Sequence, residues 1–140
     1  SCGCIRNLNV GLRMLGKPAA TRKDYGVSSE NSFHRSYVYK AKKEGIEFSL
    51  TKEEFIKLSK QNCYYCNLKP MAMYCRTRTC HGYHIHNGVD RIDNDKGYTK
   101  ENSAACCKWC NFSKNNRTEK DFLEWANRLY LHLRSQNRLP

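Results

Sequence analysis

Apolar residues recur along this chain in short runs of two different periods. Phe33, Tyr37 and Ala41 stand four apart behind Ser29, a capping residue, and Gly45 ends the run, so residues 29–44 predict a helix. Ile46-Glu47-Phe48 then alternates as a short extended piece. From Leu50 to Lys60 the local signal is clearest. Thr51 and Glu54 make a capping box, and Leu50 and Phe55 sit where a hydrophobic staple needs them. Residues 67–83 hold Pro70, Gly82 and little periodicity, which predicts a connection. His84-Ile85-His86 and Val89-Asp90-Arg91-Ile92 predict a first strand, Asn94-Asp95-Lys96-Gly97 a turn, and Ser103-Ala104-Ala105-Cys106 a second strand. A helix follows around Cys107. The last helix starts at Thr118, with Asp121 completing a second capping box. Phe122, Ala126, Leu129 and Leu133 mark its buried stripe; Trp125 and Tyr130 widen it and read as core.

Composition narrows the picture. In 140 residues only 39% are hydrophobic, so the core is thin and a metal staple is expected. Twenty-five Lys and Arg against thirteen Asp and Glu leave a charge of +12, the footprint of a protein that binds a polyanion, most economically nucleic acid. No run approaches the ~18–20 apolar residues that span a bilayer. A soluble, intracellular protein with no membrane partner is expected. Residues 1–27 form a basic arm in which Arg6, Arg13, Lys17, Arg22 and Lys23 face only Asp24. It is either a solvated lead-in or an arm that tracks a nucleic-acid backbone. Residues 28–140 make the compact domain.

Nine cysteines is an odd number, so a fully paired disulfide framework would leave one over. Cys63-Tyr64-Tyr65-Cys66 and Cys107-Lys108-Trp109-Cys110 instead have metal-ligand spacing, and four thiolates are what a closed structural zinc site takes. Between and beside these knuckles lie Asp90 and Asn111, oxygen donors suited to a harder cation such as Mg²⁺. Phosphodiester hydrolysis needs such a cation and a base for water. Asp93-Asn94-Asp95 reads as turn-capping.

The full set resembles the HNH, or His-Me-finger (ββα-metal), endonucleases in the phage endonuclease VII-like manner. The likeness rests on Cys63-x-x-Cys66, Asn87-Gly88-Val89-Asp90-Arg91-Ile92-Asp93-Asn94-Asp95-Lys96-Gly97-Tyr98-Thr99, Glu101-Asn102 and Cys107-x-x-Cys110-Asn111-x-x-Lys114, and it covers about residues 46–133. It implies an α+β fold with a small zinc-stapled ββα core, flanking helices and an N-terminal basic arm. It further implies that Asp90 and Asn111 hold a catalytic Mg²⁺ or Mn²⁺, that Cys63, Cys66, Cys107 and Cys110 hold zinc, and that Asn102 pins the loop. Arg91, Lys108, Lys114 and Arg117 would then meet phosphates of duplex or branched DNA. Where the family has its general-base histidine this chain has Arg91, which cannot lose a proton at working pH. Asp93, His86, His84 or a metal-bound hydroxide remain for the base, although His86 is about 13 Å from Asp90 along an extended strand. The expected activity is divalent-metal-dependent DNA cleavage by a phage or mobile-element enzyme. The competing expectation is a non-catalytic HNH-like zinc module that binds DNA or RNA.

Two cysteine groups stay outside this scheme. Ser1-Cys2-Gly3-Cys4 resembles the closing half of a zinc ribbon, as if the arm were the end of a truncated one. Cys75 and Cys80, with His81, could join Cys2 and Cys4 in a second metal site, although free thiols are the plainer expectation for Cys75 and Cys80. Cys106 reads as a small core residue.

Overall fold

The computed structural model describes residues 24–75 and 82–139. Along the chain run α1 (Val27–Lys43), α2 (Lys52–Ser59), β1 (Ala72–Tyr74), β2 (His84–His86), β3 (Gly88–Arg91), β4 (Ser103–Cys106), α3 (Lys108–Lys114) and α4 (Glu119–Ser135). This is an α+β arrangement with two separate two-stranded antiparallel sheets, β1–β2 and β3–β4. β3, β4 and α3 follow one another as a ββα element.

α1 and α2 supply most of the core. Phe33, Leu50, Phe55, Ile56 and Val89 are buried together, flanked by Tyr37, Phe48, Leu58, Tyr74 and Tyr98. Rings make up much of it: Phe33 lies 5.2 Å from Tyr37 and 5.4 Å from Phe55, and Tyr37 lies 4.8 Å from Phe55. The capping box of α2 is formed, with Thr51 Oγ1 accepting from Glu54 N and Glu54 Oε2 accepting from Thr51 N. Leu50 and Phe55, the staple pair, both reach the core.

Four expectations change. α1 begins two residues early, after Gly26 in a left-handed conformation, and Ser29 is not its cap. Ser29 instead donates across the fold to Gly82 O at 2.7 Å from a buried position. Residues 72–74, expected in a connection, pair as β1 with β2. The expected first strand is two strands, because Asn87 interrupts it. Its buried amide donates to Gln61 O (2.9 Å) and Leu68 O (3.1 Å), and its N–H to Ser59 O (2.8 Å). β2 therefore pairs with β1, while β3 pairs with β4 in the register Asp90↔Ala104.

The fourth change concerns α4. Thr118 caps it as expected, accepting from Asp121 N, but only Phe122 is buried and Leu129 and Tyr130 are open to solvent. A 17-residue helix is about 26 Å long, and Phe122 in its first turn is its one buried side chain among the described residues. Its second half is mostly exposed. No helix of the described residues is long and apolar enough to cross a membrane.

Candidate functional site

The first knuckle is set by backbone hydrogen bonds. Cys63 N donates to Leu68 O at 2.8 Å, Asn67 N to Cys63 O at 2.8 Å, and Tyr64 N to Ala105 O on β4 at 2.8 Å. Asn67 takes a positive φ of 59°, a conformation asparagine tolerates. The second knuckle straddles the start of α3, where Cys107 Sγ accepts from Cys110 N. The sulfurs of Cys63, Cys66, Cys107 and Cys110 come within 4.8 Å of one another, and Cys66 and Cys107 stand 3.7 Å apart. A tetrahedral zinc with ~2.3 Å bonds separates its sulfurs by about 3.8 Å, so the cluster fits zinc.

The protonation energetics point the same way. Burial would raise the Cys63 thiol, but the N–H groups of Cys107, Cys66 and Tyr65 outweigh it and bring it down to about 7. Burial, together with the crowding of neighbouring sulfurs, pushes Cys110 well up. A central cation removes that conflict, because a coordinating thiol is deprotonated outright. Cys106 lies beside the cluster, buried and free, its thiol raised first by burial. Cys75 is disulfide-bonded, which corrects the free-thiol expectation for it. Cys2, Cys4, Cys80 and His81 lie outside the described residues.

β3 presents alternate residues to opposite sides. Val89 enters the aromatic core, where its N–H donates to Tyr37 Oη at 3.1 Å. On the other side, Gly88 and Asp90 face α3. A Cβ at Gly88 would press on Tyr37 Oη (3.1 Å) and Cys106 O (3.2 Å), while Asn111 Nδ2 on α3 would lie at an ordinary contact distance of 3.9 Å. Asn111 and Lys114 share one face of α3 by their spacing of three. Asn111 therefore lies over Gly88 and Lys114 over Asp90.

Asp90 is buried and its Oδ2 is doubly engaged. Lys114 Nζ stands 3.1 Å from it and Tyr65 Oη donates to it at 3.3 Å. The Lys114 ammonium also donates to Arg91 O at 2.8 Å. Lys114 is fully buried, which corrects the expectation that it meets phosphates from the surface. Burial, and then the Asp90 charge, raise the Tyr65 phenol far above its ordinary range, so it stays a donor. The sequence alone gives Tyr65, Tyr37 and Asn87 no site role, although Tyr37 stands in the stripe of α1 and Asn87 heads the family-like motif. For Tyr65 the signal is its place inside a knuckle.

The loop after β3 is closed by its own side chains. Asn102 is buried, accepts from Asp93 N, and donates to Asp93 O and Gly97 O, each at 2.9 Å. Arg91 Nη1 donates to Asn94 O at 2.7 Å and Lys96 O at 3.0 Å, and its guanidinium lies 5.6 Å from the Tyr98 ring centre. Asp93 accepts from Asp95 N and pairs with Lys96; the Asp95 N–H and then the Lys96 side chain lower its carboxyl, making it a weak base. His84 and His86 sit on β2, outside this face. They stack on each other at 5.3 Å, and His86 lies 4.1 Å from Phe33. Lys108 and Arg117 are exposed.

Asp90 and Asn111 are hard-cation donors in kind, carboxylate and amide oxygen. With Lys114 on Oδ2, a divalent ion on Oδ1 would meet a neighbouring ammonium. At ~5 Å and an effective dielectric of about 20 that repulsion is roughly 6–7 kcal/mol. The attraction of the ion to the carboxylate, at about 2 Å, exceeds that repulsion, so the donors fit such an ion with Lys114 as a competing charge.

Taken together, a β-hairpin and a following helix joined by a four-cysteine centre define an α+β, HNH-like ββα fold. The solved structure of PacI, a rare-cutting HNH restriction endonuclease, shares it, with a TM-score of 0.53 and 22% identity over 86% of this chain and 93% of that one. An uncharacterized protein of Acanthamoeba polyphaga mimivirus is 37% identical over 107 residues, 76% of this chain. The chain spans 18% of that relative's length. No family model matches the sequence.

Proposed function

We propose that this protein is an HNH-type endonuclease that hydrolyses DNA phosphodiester bonds by nicking or double-strand cutting. The observation that carries the reading is the HNH-like ββα fold with a four-cysteine cluster that fits zinc, and Asp90 on its β3 and Asn111 on its α3 supply the candidate metal donors. Zinc holds the two knuckles together. Asp90 and Asn111 hold Mg²⁺ or Mn²⁺, which when bound neutralises charge on the phosphate and leaving oxygens. Asn102 holds the loop shape, while Arg91, Lys108 and Arg117 supply cationic contacts to phosphates, and the basic N-terminal residues Arg6, Arg13, Lys17, Arg22 and Lys23 add further positive charge. A virus-encoded relative is in keeping with a phage-type or mobile-element origin and with work inside a host cell.

A plasmid-nicking assay with Mg²⁺ or Mn²⁺ tests this reading. The wild type should convert supercoiled to open-circular or linear DNA, and Asn111→Ala, or Asp90→Asn shown to keep its zinc and helicity, should slow it roughly 100-fold while still binding. Equal cleavage by wild type and both variants would remove these residues from the chemistry.

A second reading is favoured by one specific feature. Lys114 already neutralises Asp90, and Arg91 stands where a base would be, its guanidinium tied to Asn94 O and Lys96 O. In that reading the chain is a non-catalytic zinc module that binds nucleic acid. Tight binding with no metal-dependent cutting would select it.

A further inference from the structure

α3 has a second face. Trp109 and Phe112, three residues apart, stand on one side of the helix, each 72% exposed. The Lys108 ammonium lies 5.8 Å from the centre of the Trp109 ring and 5.9 Å from that of Phe112. Two large aromatic faces left in water beside a cation mark an interaction surface. Charge selects the partner. The chain carries +12, and lysine is depleted at protein–protein interfaces. A nucleic acid offers both a phosphate for the ammonium and a flat π-face for each ring. The patch shares a seven-residue helix with Asn111, so a strand lying along the candidate site passes close to the rings.

We infer that Trp109 and Phe112 form a stacking platform for unpaired bases, so that the preferred DNA carries a single-stranded stretch. A base inside an intact duplex has both faces covered by its neighbours and cannot use such a platform. This rests on the DNA-acting reading above and names the form of DNA within it.

Trp109 is one of two tryptophans. In the zinc-loaded full chain, Trp125→Phe leaves Trp109 as the sole reporter. A dT20 oligonucleotide and a matched duplex of the same length, at one fixed salt concentration, are the probes. Quenching of Trp109 fluorescence by dT20 is expected. The double variant Trp109→Ala/Phe112→Ala should weaken dT20 binding roughly 10- to 100-fold and duplex binding less than about threefold. Both side chains are exposed, so zinc content and helicity should hold, and a variant that lost them would be replaced by Phe112→Ser alone. Equal weakening on both DNAs, or none, overturns the platform, while the DNA-acting reading is judged separately by wild-type binding and nicking. Loss of self-association by the double variant in sedimentation would make the patch a contact between copies and overturn it too. Failure of the wild type to bind either DNA would overturn the DNA-acting reading itself.

Discussion

Burying an ammonium costs several kcal/mol unless its partners compensate, and Lys114 is buried with Asp90 Oδ2 at 3.1 Å and Arg91 O at 2.8 Å. Removing one partner strands the other. Lys114→Met should therefore destabilise the protein by about 3–5 kcal/mol, whereas Asp90→Asn with Lys114→Met should recover much of that loss. Urea unfolding of the four forms of this cycle measures the coupling; additive losses would show that the pair is not a unit. Residues whose roles depend on neighbours in sequence were legible. Asp93 acts within its own turn, and turn chemistry follows from local order, whereas the loop-pinning role of Asn102 was implied only by the family resemblance. The inward orientation of Lys114 was not legible, because it depends on which strand residue lies below the helix, a fact that local order does not carry.

Elements were read well where caps and periodicity agreed, as in α2. They were misread where a tertiary bond outweighed propensity. The strand pattern from His84 to Ile92 gives no hint of a break, since the groups that turn the chain at Asn87 belong to Ser59, Gln61 and Leu68. β2 in turn carries a pH response. Burial, then His86, depress His84 to about 4, with Lys60 adding to the effect and Glu30 opposing it; burial also lowers His86. Unfolded histidine titrates near 6.5. Protonation thus favours the unfolded chain, so this contribution is complete above about pH 6.5 and is lost as pH falls toward 4. Thermal unfolding at successive pH values, with zinc content followed in parallel, should show a falling Tm across that window. His84→Gln, which keeps a partner for Ser59, should flatten the slope; an unchanged slope would assign the acid sensitivity elsewhere.

For the molecule as a whole, a thin core and a +12 charge leave little margin. The knuckle spacing made the four-cysteine centre readable, since ligand number and spacing are written in the chain. The exposed run of α4 was not readable, because periodicity tells which face is apolar but not whether the core extends far enough to cover it. Zinc removal by a strong chelator should unfold the ββα element, seen as loss of near-ultraviolet dichroism, and added Zn²⁺ should restore it. A chain that kept its tertiary signal without metal would refute the structural role.

The sulfurs of Cys66 and Cys107 meet across 41 positions of sequence. In kinetic terms the ion is a long-range contact, and β3 and β4 lie inside the ring it closes. The entropy of that closure grows only slowly with length, so metal capture shortens the search for everything within. A chain holding zinc early pairs Asp90 with Ala104 inside a closed loop, while one without it must find that register from an open chain. If zinc fills this centre, the speed at which the candidate site assembles is tied to how much zinc the compartment offers.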